Sequence, residues 1–359
     1  MADRLTRRGL LAGGGALAAT AFTPAAAART PAPKVEAFHG THQAGVATPP
    51  QTHAVFLGLD LRKGTGRDDV VRLMRLLSDD AVRLTQGRGA LADSEPELAA
   101  TPARLTFTFG FGPGLFEAAG LKGHEQLPAF GVDRLQDRWS GGDLLVQLCC
   151  DDQVTLAHAL RMTVKDTRSF ATVRWTQRGF RQPEGTVQRN LMGQIDGTVN
   201  PADLDRAVWI QDGPLKGGTM LVLRRIEILM DTWDAVDRVA REFTVGRRLS
   251  DGAPLTGPGE PDFAKLNPIG FPVIAEYAHI RRAHVADPGL RMLRRVYNYD
   301  EGLLFAAYVA DVERQFTAVQ RRLAKADLLN EWTRPIGSAV FAIPPGCAEG
   351  GWIGESLLT

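Results

Sequence analysis

The pattern of apolar and polar positions predicts strands and helices in the same order twice along the chain. In the first half, short runs that are apolar throughout or apolar at every second position predict strands, and apolar stripes with helical spacing predict helices. The strands are predicted at 55–61, 105–111, 144–150 and 170–175, and the helices at 70–84 and 155–162. The first half therefore has the predicted order β-α-β-β-α-β.

The second half repeats this order after a join near residues 201–218. Its predicted elements are a strand at 219–228, a helix opened by Asp231, a short strand around His279, a strand at 303–309, a helix at 312–326 and a strand at 340–343. This order is that of a ferredoxin-like unit. Two copies predict an α+β fold of two antiparallel sheets, each with helices packed on one face, in a dimeric α+β barrel-like arrangement.

The N-terminus has the features of a twin-arginine export signal. Arg7 and Arg8 precede a weakly apolar run rich in Gly and Ala, and small residues follow at 25–28. The run is shorter than the roughly 20 residues that a membrane-spanning helix needs. We therefore expect export to the periplasm, cell surface or medium, without stable membrane insertion. Because this route carries folded proteins, it also favours a bound cofactor.

The predicted organisation has four parts. They are a signal peptide at 1–28, an N-terminal arm at 29–51, an N-terminal ferredoxin-like domain at 52–200 and a C-terminal, cofactor-binding one at 201–359.

Composition excludes several classes of protein. There are 42 Lys and Arg against 41 Asp and Glu, so the chain has no basic field for nucleic acid. Three cysteines without a Cys-x-x-Cys motif supply neither a zinc ribbon, nor an iron-sulfur cluster, nor covalent attachment of haem. Any haem would be held non-covalently.

Three segments contain residues suited to chemistry, although each has a simpler interpretation when taken alone. His279 lies among cationic residues, but a single histidine is more often structural. Asp196 lies in Gly-Gln-Ile-Asp-Gly, which also suits a tight turn. Arg294 and Arg295 adjoin aromatic residues in what reads as a loop between strands. His39 and His42 lie in the irregular arm, which offers little rigid support for a metal.

Six segments, in their order along the chain, together carry a resemblance to a known family. They lie at 38–45, 193–198, 245–254, 278–281, 293–295 and 337–346. They resemble the dye-decolourising peroxidases, particularly the exported A-type branch. The resemblance covers nearly the whole mature chain, and the doubled ferredoxin-like order agrees with the family's fold.

The resemblance implies that haem b (iron protoporphyrin IX) binds in the C-terminal half. By it, His279 is the proximal iron ligand, Asp196 lies beside the peroxide, and Arg294 is the distal arginine. Arg295 is the alternative to Arg294, because the stretch from His279 to Arg294 is shorter than is usual in the family.

Two further residues follow from the resemblance and from haem chemistry. A carboxylate hydrogen-bonded to the far nitrogen of the proximal imidazole increases its electron donation. Glu331 is the candidate for this carboxylate, and Asp311 competes with it. Arg247 is a candidate partner of a haem propionate, with a surface arginine as the alternative.

The implied function is reduction of hydrogen peroxide and oxidation of dyes, phenolic or other one-electron donors through a ferryl intermediate. The physiological reductant is unidentified, and a homo-oligomer or a secreted redox partner stays open. The alternative is a haem-binding or iron-delivery protein with little turnover, which would tolerate loss of Asp196 and Arg294. A metal-binding module using His39 and His42 is a third reading.

Two hypotheses concern how such an enzyme would work. An unperturbed aspartate has a pKa of about 3.9, so a carboxylate base predicts activity that favours acidic conditions. Bulky dyes would be oxidised at surface aromatic residues. The candidates are Tyr297, Tyr299, Trp209 and Trp233, for all of which core packing is the competing interpretation.

Overall fold

The structure, a computed structural model, describes residues 34–197 and 199–359. The predicted signal peptide lies outside the described residues, as do the first residues of the arm. Among the helices of the described part, none combines the length and the apolar character that a bilayer crossing requires.

The first half has the predicted order of strands and helices. Its elements are β1 His53–Leu61, α1 Arg67–Thr85, β2 Thr106–Phe111, α2 Pro113–Ala118, β3 Leu144–Cys150, α3 Gln153–Thr167 and β4 Ala171–Phe180. The predicted apolar stripe of α1, from Val70 to Leu84, is buried. Helix α3 begins after Asp152, whose carboxylate accepts a hydrogen bond from the Thr155 N–H, a favourable N-cap.

The second half has the same order with additional short elements. They are α4 Leu204–Ala207, β5 Thr219–Ile228, α5 Met230–Asp234, α6 Arg238–Val245, α7 His279–Ala283, β6 Leu293–Arg294, β7 Tyr297–Tyr299, β8 Gly302–Val309, α8 Ala318–Ala326, β9 Thr333–Ile343 and α9 Glu355–Leu358. A π-helical turn, Val312–Thr317, leads into α8. The predicted α+β fold of two ferredoxin-like units is confirmed.

Two local predictions in this half are wrong. The expected strand around His279 is helix α7, and the second strand of the unit is formed instead by β6 and β7, where a loop was expected. The two arginines made this segment look like a loop, but Arg295 is buried and the Arg294 side chain is only 24% exposed. The helix expected from Asp231 is two helices, since Asp237 caps α6 by accepting from the Ala240 N–H.

The strands of the described part close into a barrel. Hydrogen bonding follows the order β5-β9-β2-β3-β1-β4-β7-β8, and β8 pairs back to β5, with β6 also on β8. All these pairings are antiparallel. The two halves meet at two seams, where Phe111 pairs with Ala342 and Phe180 pairs with Asn298. Closure removes the exposed sheet edges that would otherwise invite aggregation.

Alternation along the strands separates the barrel interior from the helix-covered outside. On β5, Leu221 and Leu223 point into the barrel with Tyr308 of β8, whereas Met220 and Val222 pack under the helices.

The structure does not divide the chain near residue 200, because residues 34–359 pack as one compact unit. The domain boundary expected there therefore stays a prediction.

The described part of the arm, residues 34–51, has no regular secondary structure but packs tightly. Gln43 is buried and donates from Nε2 to the carbonyls of Phe109 and Pro344, each at 3.0 Å. The His42 ring stacks on Trp209 with centroids 3.7 Å apart. Side-chain contacts, rather than strand pairing, therefore attach the arm to the barrel.

Two carboxyl groups lie against each other between α1 and α3. Asp80 is 3% exposed, and its Oδ1 accepts from the Leu91 N–H at 2.7 Å. Burial and the neighbouring Asp80 raise the pKa of Asp166 to about 7. The folded protein therefore keeps a proton on this pair that an unfolded chain, with an aspartate pKa of about 3.9, would release.

The sign of this shift predicts how stability depends on pH. Between about pH 4 and 7 the folded state binds more protons than the unfolded state, so stability falls as the pH rises through this range. We expect Asp166→Asn to be more stable than the original protein by about 2 kcal/mol at pH 8, and to show no gain at pH 4. Urea denaturation at both pH values measures this. Asp79→Asn, on the exposed face of α1, is the control, and an equal effect at both pH values would contradict the prediction.

Candidate active site

A cavity of about 280 Å³ lies between the helix-covered face of the C-terminal half of the sheet and helices α7 and α8. Most of its wall is aliphatic or aromatic. The apolar residues include Ile226, Ile228, Val245, Ile280, Met292, Leu303, Phe305, Phe316, Val319, Leu323 and Leu329. A few charged side chains interrupt this wall, as is typical of a site for an organic ligand.

His279, the first residue of α7, is one of these polar residues. Its Nδ1 lies 2.6 Å from Oδ2 of Asp327, a carboxylate whose side chain is only 3% exposed. Burial alone would lower the pKa of His279, but the Asp327 carboxylate more than offsets this, so the pKa lies above the ordinary imidazole value. Nε2 has no hydrogen-bond partner among the described residues, which leaves it available on the cavity side.

The carboxylate beside His279 corrects the expectation of Glu331 or Asp311. Glu331 is exposed, and Asp311 caps the helical turn at 312–317 by accepting from the Arg314 N–H. Asp327 was missed, although it directly follows the predicted helix at 312–326. An aspartate at this position indicates a helix cap, and Asp327 does cap the turn at 328–331 by accepting from the Leu329 N–H through Oδ1, so no local signal marked it as the partner of His279.

Asp196 reaches the cavity on the segment that follows β4. Gly193 and Gly197 have φ of 83° and 78°, left-handed values that glycine adopts easily, so the chain turns sharply on both sides of Asp196. The backbone N–H of Asp196 donates to the Gln188 carbonyl at 3.0 Å. Oδ1 accepts from the Gly197 N–H at 2.6 Å and lies 3.7 Å from Nη1 of Arg294.

The structure separates the two adjacent arginines. Arg294 lines the cavity, whereas Arg295 is 1% exposed and donates to the Thr48 carbonyl and to Gln51 of the arm, inside the barrel. Arg295 as a cofactor-binding alternative is therefore wrong. The reason is strand geometry: neighbouring residues point to opposite faces, and pairing with Ala307 puts Arg294 on the helix-covered face.

Arg247 also lines the cavity. Its Nη1 donates to the Gly252 carbonyl at 2.8 Å, and it forms no ion pair with any described carboxylate. Burial and the neighbouring Arg294 lower the pKa of Arg247, although a guanidinium still keeps its charge. With Arg291 in the same wall and Glu260 the nearby acid, the cavity has an excess of positive charge, which suits a ligand with carboxylates.

The aromatic residues expected at the surface are buried. Tyr297, Tyr299, Trp209 and Trp233 are at most 5% exposed, as the core-packing interpretation held. The chain's four tyrosines and six tryptophans all lie in the described part, and of these Tyr277 alone is exposed, at 53%.

Comparison with known proteins identifies the family. A model described as Dyp-type peroxidase, N-terminal, matches residues 43–181, and one described as Dyp-type peroxidase, C-terminal, matches residues 187–348. The chain belongs to the DyP-type peroxidase family. A dye-decolorizing peroxidase from Thermobifida fusca (strain YX) is 36% identical over 88% of this chain and 83% of that protein. A deferrochelatase from Shigella sonnei (strain Ss046) is 33% identical over 98% of this chain and 97% of its own length.

Solved structures of similar proteins support the same family assignment. A crystal structure of a DyP-type peroxidase from Cellulomonas bogoriensis is 49% identical, with a TM-score of 0.89 over 92% of this chain and 99% of that one. Ferric DtpA from Streptomyces lividans is 38% identical, with a TM-score of 0.86 over 91% and 97% of the two chains.

The site of the peroxidase thus combines three functional groups in one apolar cavity. They are an imidazole with one free nitrogen, an accessible carboxylate and a guanidinium within 4 Å of that carboxylate. A carboxylate can exchange a proton with a bound substrate, and a guanidinium can stabilise negative charge that develops beside it.

Substitution of Asp327 tests the position of the imidazole in the peroxidase. We expect Asp327→Asn to lower peroxidase activity by about 10- to 100-fold, because His279 loses the carboxylate that fixes its ring and proton. Glu331→Gln, an acid four residues later, is the matched control and should leave activity unchanged. Steady-state turnover of peroxide measures both, and equal losses in the two variants would contradict the assignment.

Proposed function

We propose that this protein is an exported peroxidase that binds haem b non-covalently and uses hydrogen peroxide to oxidise one-electron donors. One observation carries the proposal. His279, with Nδ1 engaged by Asp327 and Nε2 free, lines the same apolar cavity as the Asp196–Arg294 pair. An imidazole can hold haem iron, a carboxylate can move a proton on bound peroxide, and a guanidinium can stabilise the negative charge that develops there.

The residues of the cavity fit a haem. The free Nε2 of His279 would hold the iron, and the aliphatic and aromatic walls would cover the porphyrin. Arg247, half-buried and without an ion-pair partner in the described chain, would bind a propionate. When bound, the haem would supply the two electrons that cleavage of the peroxide O–O bond requires. Asp327 would keep the imidazole a strong donor by accepting its Nδ1 proton in a hydrogen bond.

Asp196 and Arg294 have separate tasks in this proposal. Hydrogen peroxide must lose a proton from one oxygen and gain one on the oxygen that departs as water. Asp196 would carry that proton, since Oδ2 has no partner among the described residues whereas Oδ1 is held by the Gly197 N–H. Arg294 stays charged, so it would stabilise the anion and keep Asp196 oriented through Oδ1.

Three variants test this assignment. We expect the purified protein to bind haem b with a Soret band, and His279→Ala to lose tight binding because it removes the iron ligand. Asp196→Asn should keep the haem spectrum but react with peroxide about 10²- to 10⁴-fold more slowly, the loss typical of a missing acid–base group. Stopped-flow spectroscopy measures this rate.

Asp212→Asn is the matched control for Asp196. Asp212 is exposed and also precedes a glycine, Gly213, with φ of 80°. Its substitution should change neither haem binding nor the rate. A normal rate in Asp196→Asn would overturn the proton-carrying role, and full haem binding by His279→Ala would overturn the ligand assignment.

Relatives that carry the name deferrochelatase favour a second function, haem binding for iron release with little turnover. The two functions differ in what they require of the cavity. Release of iron from haem would still need His279 but would survive loss of Asp196 and Arg294. Peroxide consumption by the haem-loaded protein, compared with free iron released from haem by the same preparation, decides between them.

Donors too large for the cavity would be oxidised at Tyr277. Among the described tyrosines and tryptophans, Tyr277 alone is exposed, and it lies two residues before His279. Its backbone carbonyl accepts a hydrogen bond from the N–H of Leu328, the residue after Asp327. The surface phenol of Tyr277 is thus connected with the imidazole of His279 in two ways, through the backbone between them and through the hydrogen bonds of Leu328 and Asp327. Tyr277 would give one electron to the haem site and its phenolic proton to solvent, and one electron from the dye, with a proton from solvent, would then restore the phenol.

We expect Tyr277→Phe to slow oxidation of a bulky anthraquinone dye about tenfold or more, while a small phenol that enters the cavity reacts at the original rate. Phe271→Leu, an equally exposed aromatic at 65%, is the control. Mass spectrometry after peroxide treatment without donor should find oxidation at Tyr277. Unchanged dye oxidation in Tyr277→Phe would refute this electron path.

A further inference from the structure

A second, much smaller pocket lies directly behind Asp196. Its volume is about 10 Å³, about the space that one water molecule needs. Three residues form a wall shared with the large cavity, namely Asn190, Asp196 and Leu303. The far side is formed by Arg181, Gln188, Arg189, Val296 and Asn298. The pocket is partly open to solvent, so Asp196 lies between the cavity and a path outward.

Asn298 supplies an unpaired polar atom to this pocket. The residue is 5% exposed and its Nδ2 donates to the Arg189 carbonyl at 3.0 Å, but its buried Oδ1 has no hydrogen-bond partner among the described residues. A buried carbonyl oxygen without a partner is unfavourable, because it has lost its hydrogen bonds to water. A water in the pocket would remove that cost by donating to Oδ1.

Arg181 supplies donors on the other side. Its Nε donates to Oε1 of Gln188 at 3.1 Å, and its guanidinium lies 5.8 Å from the centre of the Tyr297 ring. Its two terminal nitrogens bond to no other described residue. Arg181 thus presents unused donors to a pocket that also contains a carboxylate and an amide oxygen.

We propose that this pocket holds one ordered water that accepts from Arg181, donates to Asn298 Oδ1 and to Asp196, and passes protons between Asp196 and solvent. The inference rests on the proposed proton-carrying role of Asp196. Arg181 and Asn298 are positioning residues, because they act through the water and Asp196. A full turnover, in which peroxide and two electrons from the donors give two waters, also consumes two protons, and the water would bring these from solvent to Asp196 without opening the cofactor cavity.

The charges around Asp196 suit this path. Arg294 faces its Oδ1 from the cavity side, Arg181 faces it from the small pocket, and His279 lies further off within the cavity. The guanidinium of Arg189 instead donates hydrogen bonds to the carbonyls of Gly193, Leu249 and Ser250. Arg181 is therefore the cation on the solvent side whose removal should make protonation of Asp196 easier.

Filling the pocket tests the water without removing a polar group. Val296→Ile adds one methylene to the pocket wall. A high-resolution crystal structure of the haem-free protein should show the water in the original chain and none in Val296→Ile. With haem bound, Val296→Ile should turn over peroxide and a small donor about tenfold more slowly at steady state, because solvent protons reach Asp196 more slowly, a part of what acid–base catalysis supplies. Val173→Ile, exposed on β4, is the control and should change neither result.

The charge of Arg181 is tested by the pH profile of the same reaction. Arg181→Gln should move the acid limb of the rate profile to higher pH by about half a unit or more, and Arg181→Lys should restore it in part. Arg178→Gln, an exposed arginine three residues earlier on β4, should leave the limb in place. A structural role alone would change stability but not the position of this limb.

The outcomes separate this inference from the proposed function. If Asp196→Asn abolishes the reaction but the pocket is dry, or Val296→Ile and Arg181→Gln behave as the original protein, the water path is wrong and the function stands. If Asp196→Asn reacts normally, the function itself fails, whatever the pocket contains.

Discussion

The hydrogen bond between His279 and Asp327 is the interaction on which the rest of the site depends. A carboxylate that is 3% exposed must be paired, because an isolated buried charge is strongly unfavourable. Pairing with Nδ1 fixes the imidazole and leaves Nε2 as the one nitrogen available to the cavity. The same contact raises the pKa of His279, so a metal that binds Nε2 competes with a proton there. The protein therefore holds a strongly basic ligand in place before any metal arrives.

The remaining charges of the cavity follow from that arrangement. Arg294 is partly compensated by Asp196 at 3.7 Å, whereas Arg247 is half-buried and donates to the Gly252 carbonyl. Apolar walls strengthen electrostatic interactions, so an unpaired guanidinium there attracts an anion more strongly than one at the surface. A dicarboxylate ligand with a large apolar body satisfies both features of the cavity. These features derive from the structure itself, independently of the similarity to other peroxidases.

How much the sequence could predict depends on the range of the interaction. Helix α1 and strand β3 were predictable because their apolar positions repeat at the spacing of one element. Residues His279, Asp196 and Arg294 were identified by resemblance to a family, and periodicity alone favoured structural interpretations of all three. Asp327 was missed because it contacts a histidine 48 residues away, a pairing that no local pattern encodes. The sequence alone could not show which of Arg294 and Arg295 lines the cavity, because this depends on the register of β6 with β8.

Barrel closure also bears on the chemistry. Asp196 belongs to the segment after β4, in the first half of the chain, but Arg294 belongs to β6 in the second. The seam at Phe180 and Asn298 joins these halves immediately beside both residues, so closing the barrel brings the carboxylate to the guanidinium. The contact of Asn200 with Arg294 reinforces this, since its side-chain oxygen accepts from the Arg294 N–H and its nitrogen donates to the Arg294 carbonyl. The closed sheet of the described part thus determines the distance between the Asp196 carboxylate and the Arg294 guanidinium.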